Sequence, residues 1–200
     1  MSIPLRISLL VLPVLIILLT ASCGGILSSD KPADRTFWLQ PYIPPQNAAT
    51  PADAPGLTVS FDVVPGLDSD HLLTMNPDAE MNHYSGANWP DHLPEFVGSL
   101  LRRSLQSSGL FSRINADREA GVGDCILDLE LQRFYTNINH ASAASSVQIA
   151  MSGHFECHDT ARSVQLAAAV GVGGQQITSI VTAHQQAFND LMHSLINQLQ

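Results

Sequence analysis

Three cysteines carry most of the chemistry open to this chain, and their spacing divides them into one and two. Cys23 follows an apolar run, Leu9 to Leu19, and the small residues Thr20-Ala21-Ser22, with Gly24-Gly25 behind it. Arg6 and the amino terminus supply a weakly positive start, and small residues before a cut are what a signal peptidase requires. A thiol there is placed for acylation, followed by cleavage that frees its own amine. Cys125 and Cys157 lie far downstream in two alternating stretches. His154, Glu156 and His158 alternate along the second of these, a ligand set of two imidazoles and a carboxylate that could hold a divalent metal. They fall on the polar face, opposite the expected core, where solvated side chains are the ordinary occupants. No metal is therefore expected.

The Leu-Thr-Ala-Ser-Cys stretch resembles the attachment site of bacterial lipoproteins, which implies a diacylglycerol on the Cys23 sulfur. Gly24, in place of Asp, resembles the lipoproteins sorted onward to the outer membrane. Two other readings stay open: an uncleaved span, for which the run is short and broken by Pro13, and an ordinary secretory signal beside an incidental cysteine. Residues 1–22 are thus read as a leader, 23–34 as a lipidated tether and 35–200 as one α+β domain. Of 200 residues, loss of the first 22 leaves 178, enough for one core. The net charge is −9, and the lost segment holds one basic residue, Arg6, so the mature chain stands at −10. So acidic a chain excludes nucleic acid as a partner.

The elements that position these residues follow from periodicity. Arg35 to Leu39 and Leu57 to Val63 read as strands, with Pro41, Pro44 and Pro45 ending the first. His71–Met75 and Glu80–Tyr84 suggest two short strands around Asn76-Pro77-Asp78. Leu93, Phe96, Val97, Leu100, Leu101 and Leu105 share one helical face, with Asp91 as the expected cap, Pro94 in the first turn and Gly109 as the stop. A second amphipathic helix runs from about Gln176 nearly to the end, with His184 on its apolar face as a hydrogen-bonded core residue. Ser163 to Val172 precedes it as a strand. The expected fold is a mixed, largely antiparallel sheet with both helices packed on it.

The strongest strands are Cys125 to Phe134, apolar at 125, 127, 129 and 131 among mostly polar neighbours, and Val147 to Cys157, apolar at its odd positions. An antiparallel pair sharing a buried face must set odd against odd. The register that puts Leu131 opposite Met151, Leu129 opposite Gly153 and Leu127 opposite Phe155 also puts Cys125 opposite Cys157, at bridging distance. In an exported chain these two cysteines would form a disulfide. A pair of buried free thiols is the competing reading. The loop between the strands is read as Tyr135 to Ser146.

Beyond Cys23 the chain resembles the ABC-type transport auxiliary lipoproteins, outer-membrane components that accompany mammalian-cell-entry (MCE) lipid transport systems, including the paraquat-inducible type. Four stretches carry the likeness: Trp38-Leu39; Val63-Val64-Pro65-Gly66-Leu67; Asn88-Trp89 with the Leu93-Pro94 helix and Gly109-Leu110-Phe111; and Ala183, Ala187, Phe188, Leu191, Leu195 and Ile196 in the last helix. Gly66 and Met151 to His154 depart from the pattern, which leaves the subtype open. The resemblance implies a non-enzymatic protein without a cofactor on the periplasmic face of the outer membrane. It implies docking of an MCE-domain protein and, through it, an inner-membrane permease and ATPase, with homo-oligomers possible for such a chain. The sequence has no phosphate-binding Gly-rich loop, Gly-x-Ser-x-Gly, His-Glu-x-x-His or Cys-x-x-Cys. The alternative is a stand-alone envelope lipoprotein that binds a small apolar ligand or scaffolds another outer-membrane complex.

Overall fold

The computed structural model describes residues 33–45, 50–116 and 124–200. The leader, Cys23 and nearly all of the tether lie outside them. The chain divides into Met1–Ala33 and Asp34–Gln200, and the second unit is the α+β domain.

The longest alternating stretch becomes the spine of the sheet. β1 is Arg35–Thr36, β2 Gly56–Val63, β3 His71–Met75, β4 Met81–Asn88, β5 Arg113–Ala116, β6 Cys125–Ile138, β7 Ala144–Cys157 and β8 Thr160–Gly171; α1 is Leu93–Ser108 and α2 Ile177–Leu199. On one side β6 pairs antiparallel with β7, and β7 with β8. On the other side it serves two partners in turn. Its first half runs parallel to β2, from Leu57↔Cys125 to Val63↔Leu131, and its second half touches β3 at Thr74↔Thr136 and Met75↔Asn137. The sheet forks there, β2 carrying β5 and β3 carrying β4 and then β1. The β6–β7–β8 meander holds most of the paired length, so the antiparallel character stands, while the fork adds parallel pairings that alternation alone does not foresee.

Both helices bury their apolar stripes on one face of this sheet, α1 over β2 and β5 and α2 over β7 and β8. Trp89 centres the core, with Phe96, His184 and Phe134 at 5.4, 5.3 and 5.6 Å between ring centroids. Gly109 takes the left-handed conformation that ends α1, φ 70°, as its lack of a Cβ allows. The expected Asp91 cap is not formed. His92 occupies the cap position without a side-chain bond, and Asp91 instead accepts from the His92 N–H at 2.9 Å. The cap is dispensable because Pro94 removes one unsatisfied donor and the Ser69 carbonyl accepts another, from the Leu93 N–H at 3.1 Å.

Three further expectations change. β1 is two residues long; past the Phe37 N–H, which still bonds the Asn88 carbonyl at 2.8 Å, the chain leaves the sheet, as Pro41, Pro44 and Pro45 lack the donors to stay. The β6–β7 loop is confined to 139–143, where the Asn139 side chain accepts from the Ala141 and Ala143 N–H groups at 3.0 Å. The strands run past Phe134 because a bulge between Leu131 and Arg133 flips the parity, so Phe134 and Thr136 turn inward after Leu131. β5 is too short to show a period.

His184 is buried as expected and donates from Nδ1 to the Ile180 carbonyl at 3.0 Å, while its Nε2 has no partner among the described residues. Burial lowers its pKa from 6.5 to about 4, against the smaller upward pull of that hydrogen bond. The unfolded chain therefore takes this proton first, and stability falls as pH drops between those values. The loss from this group alone is about 3 kcal/mol. Urea unfolding at about pH 7 and about pH 4.5 measures it. His184→Leu should flatten the acid limb, and an unchanged limb would mean that other groups govern it.

Candidate functional site

The segment that leaves β1 becomes a strap across the seam between the helices. Trp38 stands edge-on to Phe96 at 6.4 Å, and Leu39 is buried. The Gln40 N–H donates to Gln185 Oε1 at 2.6 Å while Gln185 Nε2 donates to the Gln40 carbonyl at 3.0 Å, so one side chain satisfies both backbone groups. The Tyr42 N–H donates to Ser104 Oγ at 2.9 Å, and its hydroxyl is hydrogen-bonded to His193 Nδ1 at 3.1 Å. The strap thus binds α1 through Ser104 and α2 through Gln185 and His193. Its outer surface leaves Trp38 and Ile43 each 64% exposed.

Where the strap ends, the C-terminal ends of both helices frame a groove of about 480 Å³, lined by Tyr42, Pro44, Pro45, Leu110, His193 and Ile196 among others. A second groove, of about 570 Å³, adjoins it through Leu110 and Gln200 and is walled by Phe111, Phe155, Cys157, His158, Arg162 and Leu199. Arg162 lies over the Phe155 ring at 5.0 Å. The first groove is lined mainly by apolar and aromatic side chains, suited to contact with an apolar chain or an extended peptide, whereas His158, Thr160, Arg162 and Gln200 make the second mixed in character. In the first groove His193 is hydrogen-bonded to Tyr42 and to Asn197, each at 3.1 Å, and His158 lines the second.

At the far wall Cys125 and Cys157 are joined by a disulfide, their Cα atoms 4.3 Å apart. The pairs Leu131↔Met151, Leu129↔Gly153 and Leu127↔Phe155 stand in the register that brings them together. Cys125 is buried, Cys157 half-buried. His158 Nδ1 lies 3.3 Å from the Cys157 sulfur. These two sulfurs and His158 have the spacing of metal ligands, but sulfurs bonded to each other offer no thiolate to an ion. Mass spectrometry of the unreduced mature chain should find it two hydrogens lighter than the reduced form. Reduction should lower unfolding stability by roughly 3–4 kcal/mol for a loop of this length. Two free thiols on oxidised material would contradict the pairing.

The other ligand set is not assembled. β7 ends at Cys157, and His158 sits in the two-residue loop before Thr160 with φ 53°, so the alternation stops one residue short. His154 and Glu156 stay on the exposed face, across from Asp128 and Ile126. Asp128 and Glu130 line a shallow polar depression there with Asp62 and His154. Sequence reasoning missed the strap and its groove, because nothing in Pro41-Tyr42-Ile43-Pro44-Pro45 states which surface an extended segment will cover.

No protein-family model matches the chain, and no curated protein matches it. Among solved structures it is similar to protein XCC0632 from Xanthomonas campestris, of family-model DUF330. The TM-score is 0.67 with 15% sequence identity, covering 82% of this chain and 94% of that one. It is also similar to a crystal structure of an uncharacterized protein, with TM-score 0.63 and 11% identity over 84% of this chain and 99% of that one. At such identities the likeness establishes a shared fold over nearly the whole domain.

Proposed function

We propose that this chain is a lipid-anchored, non-enzymatic envelope protein on the periplasmic face of the outer membrane, acting as the docking component of an MCE-type lipid transport system. The observation that carries the reading is the Cys125–Cys157 pair in a chain whose apolar leader closes at Cys23. A cross-strand disulfide belongs to an oxidising compartment, and the remaining cysteine is the one placed for acylation. The resemblance to transport auxiliary lipoproteins supplies the partner: an MCE-domain protein, linked in turn to a permease and an ATPase in the inner membrane. Energy for transport would come from those chains.

The groove beneath the strap supports a second reading, a stand-alone lipoprotein that holds a small apolar ligand between the strap and the helix ends. A genetic test separates the two. On the docking reading, loss of this chain produces the same envelope defect as loss of the MCE-domain protein, and loss of both is no worse. Additive defects would favour the stand-alone protein.

A further inference from the structure

β8 is an edge strand with an open hydrogen-bonding side. Among the described residues it pairs with β7 alone, in one unbroken register from Cys157↔Thr160 to Ser146↔Gly171. Which backbone groups face outward follows from its ends. A two-residue loop closes on a hydrogen-bonded pair, here Cys157 and Thr160, so the even residues of β8 bond to β7. The Val172 N–H, donating to the Ser145 carbonyl at 3.0 Å, continues the same parity at the other end. The N–H and C=O groups of Ala161, Ser163, Gln165, Ala167, Ala169 and Gly171 therefore point away from the sheet. Among the described residues one side chain reaches them, Gln198 Nε2 to the Gln165 carbonyl at 3.5 Å.

Edges of this length are ordinarily blunted by lysine, proline, a bulge or a covering element. β8 contains no lysine, no proline and no break in register, and Arg162 is its one charged residue. We propose that β8 joins a second copy of this chain, antiparallel and edge to edge, about a two-fold axis at Ala167, making one continuous sheet across the dimer. That axis sets Ala167 against its own copy, Gln165 against Ala169 and Ser163 against Gly171, all outward-bonding residues meeting outward-bonding residues. On the buried face it sets Leu166 against Ala168 and Val164 against Val170, apolar against apolar. Ala168 and Val170 are only half-buried in the single chain, and this pairing covers them. Arg162 falls opposite Val172, so the two arginines lie at opposite ends and no like charges meet. The small side chains at 161, 167, 169 and 171 leave the partner backbone room to approach.

The test is the molar mass of the full chain purified from membranes, by light scattering with the detergent mass subtracted, over a range of concentrations. Two copies are expected. Ala169→Pro removes an outward N–H without touching the β7 ladder, and Ala167→Lys sets two ammonium groups across the axis. Each should weaken pairing by at least about tenfold while the far-UV spectrum of the chain is kept. If Ala169→Pro loses that spectrum, Ala167→Lys on the exposed face decides. A single copy for the natural chain at every concentration would overturn the proposal, as would undiminished pairing in the folded variants; a strand supplied by a different protein would then be the occupant to seek.

Discussion

Gly153→Ala is expected to cost at least about 3 kcal/mol of stability and to leave much of the protein unfolded or degraded. Gly153 lies in β7 opposite Leu129 of β6, and a Cβ built there falls on the Asp128 carbonyl, with the Leu129 Cα 3.0 Å away. These are backbone atoms of the central strand, so no side chain can swing aside. β6 could retreat only by loosening its bonds to β2 on its other side. The glycine is used for close approach and not for an unusual φ, since it is absent from the positive-φ residues. Thermal unfolding of the purified variant beside Gly171→Ala gives the comparison. A Cβ at Gly171 meets nothing within 4 Å, so that change should be nearly silent. Equal melting temperatures for Gly153→Ala and the natural chain would contradict the packing described for β6 and β7.

The second large effect concerns the anchor. Cys23→Ser should abolish incorporation of labelled palmitate and, because cleavage follows acylation, block removal of the 1–22 leader. Each buried methylene contributes about 0.8 kcal/mol, so two or more acyl chains hold the protein essentially permanently, and their loss leaves no covalent tie to the bilayer. Among the described residues no helix is long and apolar enough to cross a membrane. The folded domain should survive the substitution, since the Cys125–Cys157 pairing does not involve residue 23. Palmitate still incorporated into Cys23→Ser would end the lipoprotein reading.

The parts of this fold that were legible in the sequence are those ruled by local period and by parity. In β6 the run from Cys125 to Leu131 alternates except at the exposed Ile126, β7 answers it, and the demand that both bury their odd residues leaves few registers. The cysteine pairing came from that register together with the leader, which marks an exported chain and takes Cys23 out of the count. The alternation failed where geometry changed without announcing itself. Leu131-Gln132-Arg133-Phe134 places two polar residues between apolar ones, the mark of a bulge, yet it reads equally well as the end of a strand. His158 kept the period of His154 and Glu156 in sequence and lost it in space, because the chain turns there. The fork was hidden for a different reason. β2 and β3 find β6 across long intervening stretches, and parallel pairing leaves no turn signature between partners. The strap was hidden because prolines say where an extended segment cannot pair, not what it will lie upon.

Docking to an MCE-domain protein, as proposed, is open to affinity capture. The tagged full-length chain is solubilised from native membranes in mild detergent, captured, and its retained proteins identified by mass spectrometry, with Cys23→Ser captured in parallel. An MCE-domain protein should be retained at near-stoichiometric level by the anchored chain. Recovery of the intact, disulfide-bonded lipoprotein with no MCE-domain protein would contradict it.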